Sequence, residues 1–339
     1  MGITLKQIAE MAGVHKSTVD KVIHNRPGVS DAKRQQIRTL LREHGYESNP
    51  LAKALNYQKK KMTVAVVLPA VDATPELRRG IELVRQDFDS FNCETVYHEV
   101  PYPDAAAQAA CLRALCGQGV AGVVCSPMED AAVYDALAAL DAAHIPVVTV
   151  NSDLEDAPRL CFVGQDVEQS GKVAARLASL LLGASGEIGV LSSRESLRSV
   201  EQRKRAFEGY LTENYPAIRI AETIDTHESP ALAYEGTADM LRRRPGLDGL
   251  FITCGCVPDI CRAVRDLGLA GRLKILCYER YAGIVELVRG GEIACTISGD
   301  LVEQGRLAMR LLFEHIIYDR TPAQKEIYTK NEILLRENI

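Results

Sequence analysis

No stretch of this 339-residue sequence approaches the roughly 18 uninterrupted apolar residues that a membrane-spanning helix needs. The first ten residues, MGITLKQIAE, place charges among apolar residues and lack the apolar core of a secretory signal. Hydrophobic residues make up 47% of the chain and charged residues 25%, which excludes wholesale disorder. We therefore expect a soluble cytosolic protein whose length suits two or three domains.

Motifs of catalysis and of metal binding are missing as well. There is no Gly-x-Ser-x-Gly, no Walker loop and no histidine pair at ligand spacing. Cys254-Gly-Cys256 and Cys111-x4-Cys116 resemble metal pairs, but no histidine stands at zinc-site spacing to complete either. Four further cysteines lie in apolar, strand-like runs: Cys125, Cys161, Cys277 and Cys295. We expect reduced structural thiols, no catalytic residues, no metal and no cofactor.

The charge of the chain is unevenly distributed. Residues 1–61 contain 12 Lys+Arg and 5 Asp+Glu, a net charge of +7. The rest of the chain contains 28 Lys+Arg and 40 Asp+Glu, a net charge of −12. A compact basic segment on an acidic body indicates an anionic partner for that segment alone.

The basic segment has the pattern of three short helices. Thr4-Leu-Lys-Gln has the form of a capping box, and apolar residues then recur at helical spacing as far as Ala12. Gly13-Val-His15 interrupts the pattern before a second helix over 16–24. Ser30 begins a third helix that ends at His44-Gly45. This arrangement predicts a helix-turn-helix.

In a helix-turn-helix the second helix enters the DNA major groove with its N-terminal side chains. We therefore expect Lys16, Ser17 and Lys21 to face base edges, and Thr18 and Asn25 to touch phosphates. The alternative is a small helical bundle with a solvated basic face.

Residues 47–61 connect this segment to the body. Asn49 suits a helix N-cap and Pro50 the first helical position, but only about two turns follow, too few for a helix that is stable alone in water. The segment is either a switch that folds against a partner or an ordinary interdomain linker.

From Met62 onward, apolar strands alternate with helices, which indicates parallel sheets covered on both faces. The predicted strands are 63–68, 94–100, 122–125, 146–150, 186–191, 219–224, 249–253 and 273–278. The predicted helices are 75–88, 105–116, 131–143, 169–182, 200–213, 232–243 and 258–267. The pattern restarts after 150, so we predict an α/β body of two doubly wound sheets with a ligand cleft at the carboxyl ends of their strands.

Several motifs closely resemble the LacI/GalR family of bacterial transcription regulators. They are Thr4-Leu-Lys-Gln-Ile-Ala-Glu-Met-Ala-Gly-Val, Ser17-Thr-Val-Asp-Lys-Val-Ile, Val29-Ser and Gly45-Tyr46-x-x-Asn49-Pro50-x-Ala52-x-x-Leu55. The resemblance implies a homodimer on a pseudo-palindromic operator in double-stranded DNA. It also implies that Ala52 and Leu55 belong to a hinge helix, with Leu55 wedged into a minor-groove step. The expected DNA-binding residues are Thr4, Lys16, Ser17, Thr18, Lys21, Asn25, Asn49, Ala52 and Leu55. The sequence departs from the family pattern at His15, Asp20 and Lys21, where serine, serine and arginine are usual.

The body resembles the ribose-binding-protein-like effector domain of the same family through Ile145-Pro-Val-Val-Thr-Val-Asn-Ser-Asp, Phe162-Val-Gly-Gln-Asp and Cys295-Thr-Ile-Ser. The resemblance implies three crossings between two lobes, near Val163, Ser298 and Thr321. We therefore divide the chain into a DNA-binding domain at 1–46, a hinge and linker at 47–61, and an effector domain at 62–339. Its N-lobe comprises about 62–163 and 298–321, and its C-lobe about 164–297 and 322–339.

The expected effector pocket takes its residues from strand ends and from the resemblance. The strand ends provide Asp72, Thr74, Met128, Asn151, Ser152 and Asp153. The resemblance adds Arg203, matching an arginine that hydrogen-bonds a sugar, and three positions where the usual residue is replaced: Cys254, Glu279 and Gly299. A guanidinium and a carboxylate facing across the cleft would suit the vicinal hydroxyls of a sugar. The alternatives are that Arg203 lies in a solvated basic run and that Glu279 pairs with Arg280 or a helix end.

Together these features predict a cytoplasmic, ligand-controlled transcription regulator rather than an enzyme, and most simply a repressor. An activator, a corepressor-dependent regulator and a solute-binding protein of the same fold remain the alternatives.

Overall fold

The computed structural model describes residues 3–23, 28–44, 61–85, 88, 91–193 and 198–339. The chain divides into a small N-terminal helical unit and a larger α/β unit. The helical unit contains α1 (Leu5–Ala12), α2 (Lys16–Ile23) and α3 (Asp31–Glu43). The helix predicted after Asn49 lies outside the described residues.

The helical unit forms as its sequence pattern predicts. The capping box is present, because the Thr4 hydroxyl accepts from the Gln7 amide while the Gln7 side chain accepts from the Thr4 amide. Gly13 adopts a left-handed conformation, φ 62°, and so turns the chain tightly between α1 and α2. Ser30 stands at the N-cap of α3 but makes no side-chain capping bond. One apolar core joins the three helices: Ile8, Ala9, Ala12, Val19, Val22 and Ile37.

The larger unit alternates strands with helices along most of its length. In chain order its elements are β1 (Met62–Pro69), α4 (Thr74–Arg85), β2 (Cys93–Val100), α5 (Ala105–Leu115), β3 (Gly122–Cys125), α6 (Ala131–Ala142), β4 (Val147–Val150), β5 (Cys161–Gln165), α7 (Val167–Leu182), β6 (Gly186–Ser192), α8 (Arg198–Asn214), β7 (Ile218–Asp225), α9 (Pro230–Arg243), β8 (Gly249–Ile252), α10 (Val257–Asp266), β9 (Lys274–Tyr278), α11 (Ala282–Arg289), β10 (Cys295–Ser298), α12 (Leu301–Tyr318), β11 (Glu326–Thr329) and β12 (Glu332–Leu334). Helices α11 and α12 are not among the elements predicted from sequence.

These strands form two six-stranded sheets, one in each lobe. The first sheet has the order β11-β5-β4-β3-β1-β2 and is parallel throughout. The second has the order β12-β10-β9-β8-β6-β7, and only its edge strand β12 runs antiparallel to its neighbour. The inner strands β3, β4, β8 and β10 are buried at every residue, which accounts for their continuous apolar sequences. The predicted fold class is confirmed.

The chain passes between the lobes three times. The first crossing follows Gln165 at the end of β5, and the second follows Ser298 at the end of β10. The third was expected near Thr321, but it lies between Thr329 and Glu332. The reason is that β11 pairs with β5 in the first sheet, with Ile327 opposite Val163. Residues 322–329 therefore belong to the first lobe.

Thr329 brings the three crossing segments together. Its hydroxyl lies 3.2 Å from the carbonyl oxygen of Gly164 and also within hydrogen-bond distance of the Gly299 carbonyl, so it shares one proton between two crossings. The amide of Gln304 donates to the same Gly299 carbonyl at 2.9 Å. These bonds fix the relative positions of the strands that connect the lobes.

Helix α12, which follows the second crossing, packs directly against the backbone of α4. A Cβ atom on Gly80 would lie 1.9 Å from the carbonyl oxygen of Val302, and one on Gly305 would lie 2.1 Å from that of Leu77. Both distances are far shorter than any tolerated contact, so this helix pair requires glycine at both positions.

We predict that Gly80→Ala lowers the free energy of unfolding by about 1–3 kcal/mol, because the added methyl group forces the two helices apart. Urea unfolding of the full chain measures this. The matched control is Gly209→Ala in α8, where a Cβ would meet nothing within 4 Å. That change should be neutral or stabilise by up to about 1 kcal/mol. Equal stabilities of the two variants would contradict the proposed packing constraint.

Candidate functional site

Helix α2 presents a polar face opposite its buried side. Lys16, Ser17 and Lys21 are exposed and Thr18 is half-buried, while Val19 and Val22 pack into the core. This division leaves the predicted base-reading side chains accessible. Thr4 is also exposed, and its hydroxyl is engaged with the Gln7 side chain at 2.8 Å. The other predicted DNA-binding residues, Asn25, Asn49, Ala52 and Leu55, lie outside the described residues.

His15 takes the role of the serine that usually precedes this helix. Its Nδ1 accepts from the backbone N–H of Ser17 at 3.3 Å and lies 2.8 Å from the Ser17 hydroxyl. A side-chain acceptor for an amide in the first turn is the defining contact of an N-cap. The departure from the family pattern therefore preserves the capping function.

A cavity of about 430 Å³ lies between the two lobes. It is lined by residues at or just after the ends of β1, β2 and β4 in the first lobe and of β7, β8 and β9 in the second, and by the first turns of α8, the helix that follows β6. These strand ends are all carboxyl ends of parallel strands, where ligands bind in doubly wound folds. Five predicted pocket residues line it: Asp72, Asn151, Arg203, Cys254 and Glu279.

Arg203 is the most highly constrained of these side chains. It is 6% exposed, donates to the carboxylate of Glu279 at 3.0 Å and to the side-chain oxygen of Gln165, and stacks 4.2 Å above the ring of Tyr278. A buried guanidinium is tolerable because a carboxylate, a hydrogen bond and an aromatic face replace its water shell. The sequence expectation that Arg203 and Glu279 face each other across the cleft is wrong. Both belong to the second lobe and form a pair there.

Two polar atoms of this pair lack a hydrogen-bond partner within the described part of the chain. Arg203 Nε and Glu279 Oε2 are buried and have no hydrogen-bond partner among the described residues. Glu279 has a positive φ of 73°, and Asn151 on the opposite lobe has one of 65°. Such backbone conformations are uncommon outside glycine and are typical of side chains held in place for binding.

Five predicted pocket residues do not line this cavity, and three of them, Thr74, Met128 and Gly299, are engaged inside the protein. Thr74 is buried and donates its hydroxyl to the Pro69 carbonyl at the start of α4. Met128 packs in the core of the first lobe, because its side chain is apolar and its amide is bound by Gln108 at 2.8 Å. Gly299 lies at the second crossing, where a Cβ would come within 2.9 Å of Gln165 and of Gln304.

Ser152 and Asp153 line a different interlobe cavity, of about 850 Å³, which shares Asn151 and Ser199 with the first one. Asp153 accepts from Thr149 at 2.7 Å and pairs with Arg159 at 2.6 Å. Burial raises the pKa of this carboxyl, and its hydrogen bond and ion pair act in the opposite direction. Asp153 is thus occupied within its own lobe.

Sequence reasoning missed several residues of the first cavity. They are Tyr102 after β2, His227 and Glu228 after β7, and Tyr281 after β9. Each follows the carboxyl end of its strand by two or three residues, and this position in the sequence could have identified them.

The cysteines behave as buried apolar groups. All ten are free thiols, and the four that lie in apolar runs are buried in strands. Burial raises the pKa of both Cys254 and Cys256 to about 12, so both are protonated near neutral pH. Among the described residues there is no group of three or more His, Cys, Asp or Glu suited to hold a metal ion.

Comparison with known families and proteins agrees with this architecture. The family model described as "Periplasmic binding protein domain" matches residues 64–319. The model described as "Bacterial regulatory proteins, lacI family" matches residues 4–49. Within the described residues, no helix has both the length and the apolar composition that crossing a membrane requires.

Individual relatives match in parts of the chain. The transcriptional regulator TreR of Salmonella typhimurium is 35% identical over 74 residues, 22% of this chain and 23% of TreR. The sucrose operon repressor of Vibrio alginolyticus is 35% identical over 91 residues, 25% of this chain and 97% of that sequence. The chain thus aligns with less than a quarter of the length of TreR.

A solved structure matches over most of the chain. It is a solute-binding protein of an ABC transporter from Burkholderia graminis in complex with D-arabinose. The identity is 22% and the TM-score 0.76, over 82% of this chain and 96% of the other. This likeness shows the two-lobed fold.

We predict that His15→Ala destabilises α2 by about 0.5–2 kcal/mol, because the Ser17 amide loses its acceptor. His15→Ser should restore the cap. Hydrogen exchange of the α2 amides measures the effect, since loss of the cap lowers their protection. Equal protection in the alanine variant and the wild type would show that His15 does not cap the helix.

Proposed function

Because this chain belongs to the lacI family of bacterial regulatory proteins, we propose that it is a DNA-binding transcription regulator controlled by a small ligand. One observation carries the proposal: a helix-turn-helix and a two-lobed fold with an interlobe cavity occur in the same chain. A solute-binding protein would use the second part but has no use for the first.

The DNA-binding half of the proposal rests on α2 and on charge. Its exposed Lys16, Ser17 and Lys21 reach base edges in the major groove. Residues 1–61 carry a net charge of +7, which attracts the phosphate backbone. A homodimer would place two such helices on a pseudo-palindromic operator, and Leu55 would act as the minor-groove wedge between them.

The ligand-binding half rests on the interlobe cavity. In its wall, as far as the structure describes the chain, Arg203 Nε is a buried donor without an acceptor, and Glu279 Oε2 is a buried acceptor without a donor. A ligand that both donates and accepts hydrogen bonds would satisfy both atoms. Hydroxyl groups do both, so a sugar-like molecule fits this chemistry.

Control follows from the three crossings. A ligand held by both lobes favours one arrangement of the lobes, and in a dimer this changes the spacing of the two 49–56 segments. Each segment is too short for a stable isolated helix, so its folding depends on that spacing and on the DNA. The regulator is most simply a repressor that the ligand releases from its operator.

We predict that operator affinity falls steeply with salt, by about 10³-fold between roughly 50 and 200 mM for six phosphate contacts, because bound cationic side chains displace counterions. Filter binding across a salt series measures this, with a palindromic operator and with random DNA of the same length. A flat salt response, or equal affinity for the two DNAs, would contradict sequence-specific binding.

We predict that Arg203→Lys weakens ligand binding at least about tenfold, because an ammonium cannot replace the forked donors of a guanidinium. The ligand is whichever sugar raises the unfolding temperature in a thermal-shift screen. Arg205→Lys is the control, since Arg205 is exposed, pairs with Glu201 and does not line this cavity.

The ligand and the operator should each change the affinity of the protein for the other by the same factor, about 5- to 150-fold. Calorimetric titration of ligand with and without operator measures this factor. Normal ligand binding by Arg203→Lys would refute the assigned pocket, and a ligand affinity that operator leaves unchanged would refute the coupling.

A further inference from the structure

The walls of the interlobe cavity are predominantly negative. Four carboxylates line it: Asp72, Glu228, Asp259 and Glu279. Of the described lining residues only Arg203 carries a permanent positive charge, and this guanidinium is already engaged with Glu279. A phosphorylated or acidic ligand would meet repulsion here rather than a cationic partner.

The carboxylates come from both lobes and act on a common region. Burial is the main cause of the raised pKa of Cys256, and the charges of Glu228, Asp259 and Asp72 add to it. Burial is likewise the main cause of the raised pKa of Tyr281, with Asp72 the next. Asp72 belongs to the first lobe and Tyr281 to the second, so the negative field of Asp72 extends across the cavity.

Asp72 provides an open anchoring point for a positive charge. It is exposed, and its carboxylate makes no hydrogen bond or ion pair with any residue in the described part of the chain. Asp259, by contrast, pairs with Arg262 at 2.9 Å. The rings of Tyr102 and Tyr281 line the same cavity from opposite lobes, and aromatic faces attract cations.

The polar atoms deeper in the cavity require hydroxyl groups rather than a second charge. Arg203, which is 6% exposed, has an unpartnered Nε, and the neighbouring Glu279 has an unpartnered Oε2. One needs an acceptor and the other a donor, and adjacent hydroxyls supply both. Asp72 and the Arg203–Glu279 pair therefore suit different groups of one ligand.

We propose that the ligand is an amino sugar or another aminopolyol, with its ammonium group beside Asp72 and its hydroxyls on Arg203 and Glu279. The inference rests on the proposed function in taking this cavity as the ligand site. Because the ammonium contacts the first lobe and the hydroxyls contact the second, such a ligand bridges the lobes and favours their closed arrangement.

The test uses compounds that differ in one group. The first set is D-glucosamine, D-glucose and D-glucuronate, and the second is D-galactosamine, D-galactose and D-galacturonate. The third is linear: 1-amino-1-deoxy-D-sorbitol, D-sorbitol and D-gluconate. Calorimetry on the full chain should show, in at least one set, an amine that binds about tenfold or more tightly than its neutral counterpart, and no binding of the acid. That preference should shrink as salt is added.

Asp72→Asn should lower the affinity for the amine about tenfold and leave the weaker affinity for the neutral compound unchanged. Glu76→Gln is the matched control, because Glu76 lies in α4 of the same lobe, pairs with Arg79 at 2.8 Å and does not line the cavity. It removes the same charge and should change neither affinity.

The proposal is overturned if no amine binds, if a neutral compound or an acid binds as tightly as its amine, or if Asp72→Asn matches Glu76→Gln. Operator titration in the presence of each compound separates this from the proposed function. An operator affinity that responds to a neutral sugar leaves the regulator intact and refutes only the ligand class. An operator affinity that no compound alters, or absence of specific operator binding, counts against the regulator itself.

Discussion

The two lobes of the larger unit are joined through three short crossings, and the hydroxyl of Thr329 connects them. Its proton is shared between the carbonyls of Gly164 and Gly299, one from each of the other two crossings. A segment that bridges two lobes normally exposes backbone groups to water, and here these groups are satisfied within the hinge itself. These two contacts hold the three crossing strands together at this point.

The buried ion pair of the second lobe connects the cavity to this hinge. Arg203 bonds Glu279 inside the cavity and Gln165 at the end of β5, which is the first crossing. Burying a guanidinium costs free energy that its partners must offset, so its position is set before any ligand arrives. A ligand that competes for Arg203 or Glu279 alters contacts that reach the hinge directly. In the proposed regulator, the residues that bind the ligand would also be the ones that contact the hinge.

Much of the fold could be predicted from sequence, because most inner strands of the two sheets are apolar runs and most of the helices between them have a recognisable apolar periodicity. The third crossing could not, since β11 is half-exposed and its Glu-Ile-Tyr-Thr sequence does not reveal which sheet it joins. Strand ends pointed to Asp72 and Asn151, which line the cavity, but said nothing of side-chain direction, and so included Thr74 and Met128. The pairing of Arg203 with Glu279 depends on contacts between residues 76 positions apart, which no local pattern records.

The close approach of α4 and α12 bears on how a rotation of the lobes would be transmitted. Most helix pairs are separated by a layer of side chains, which can change rotamers and absorb small displacements. Around Gly80 and Gly305 the two backbones touch, so there is no such compliant layer. Helix α12 begins at Leu301, three residues after Ser298. A displacement that entered at Ser298 would therefore pass to α4 through direct backbone contact, with no layer of side chains to absorb it.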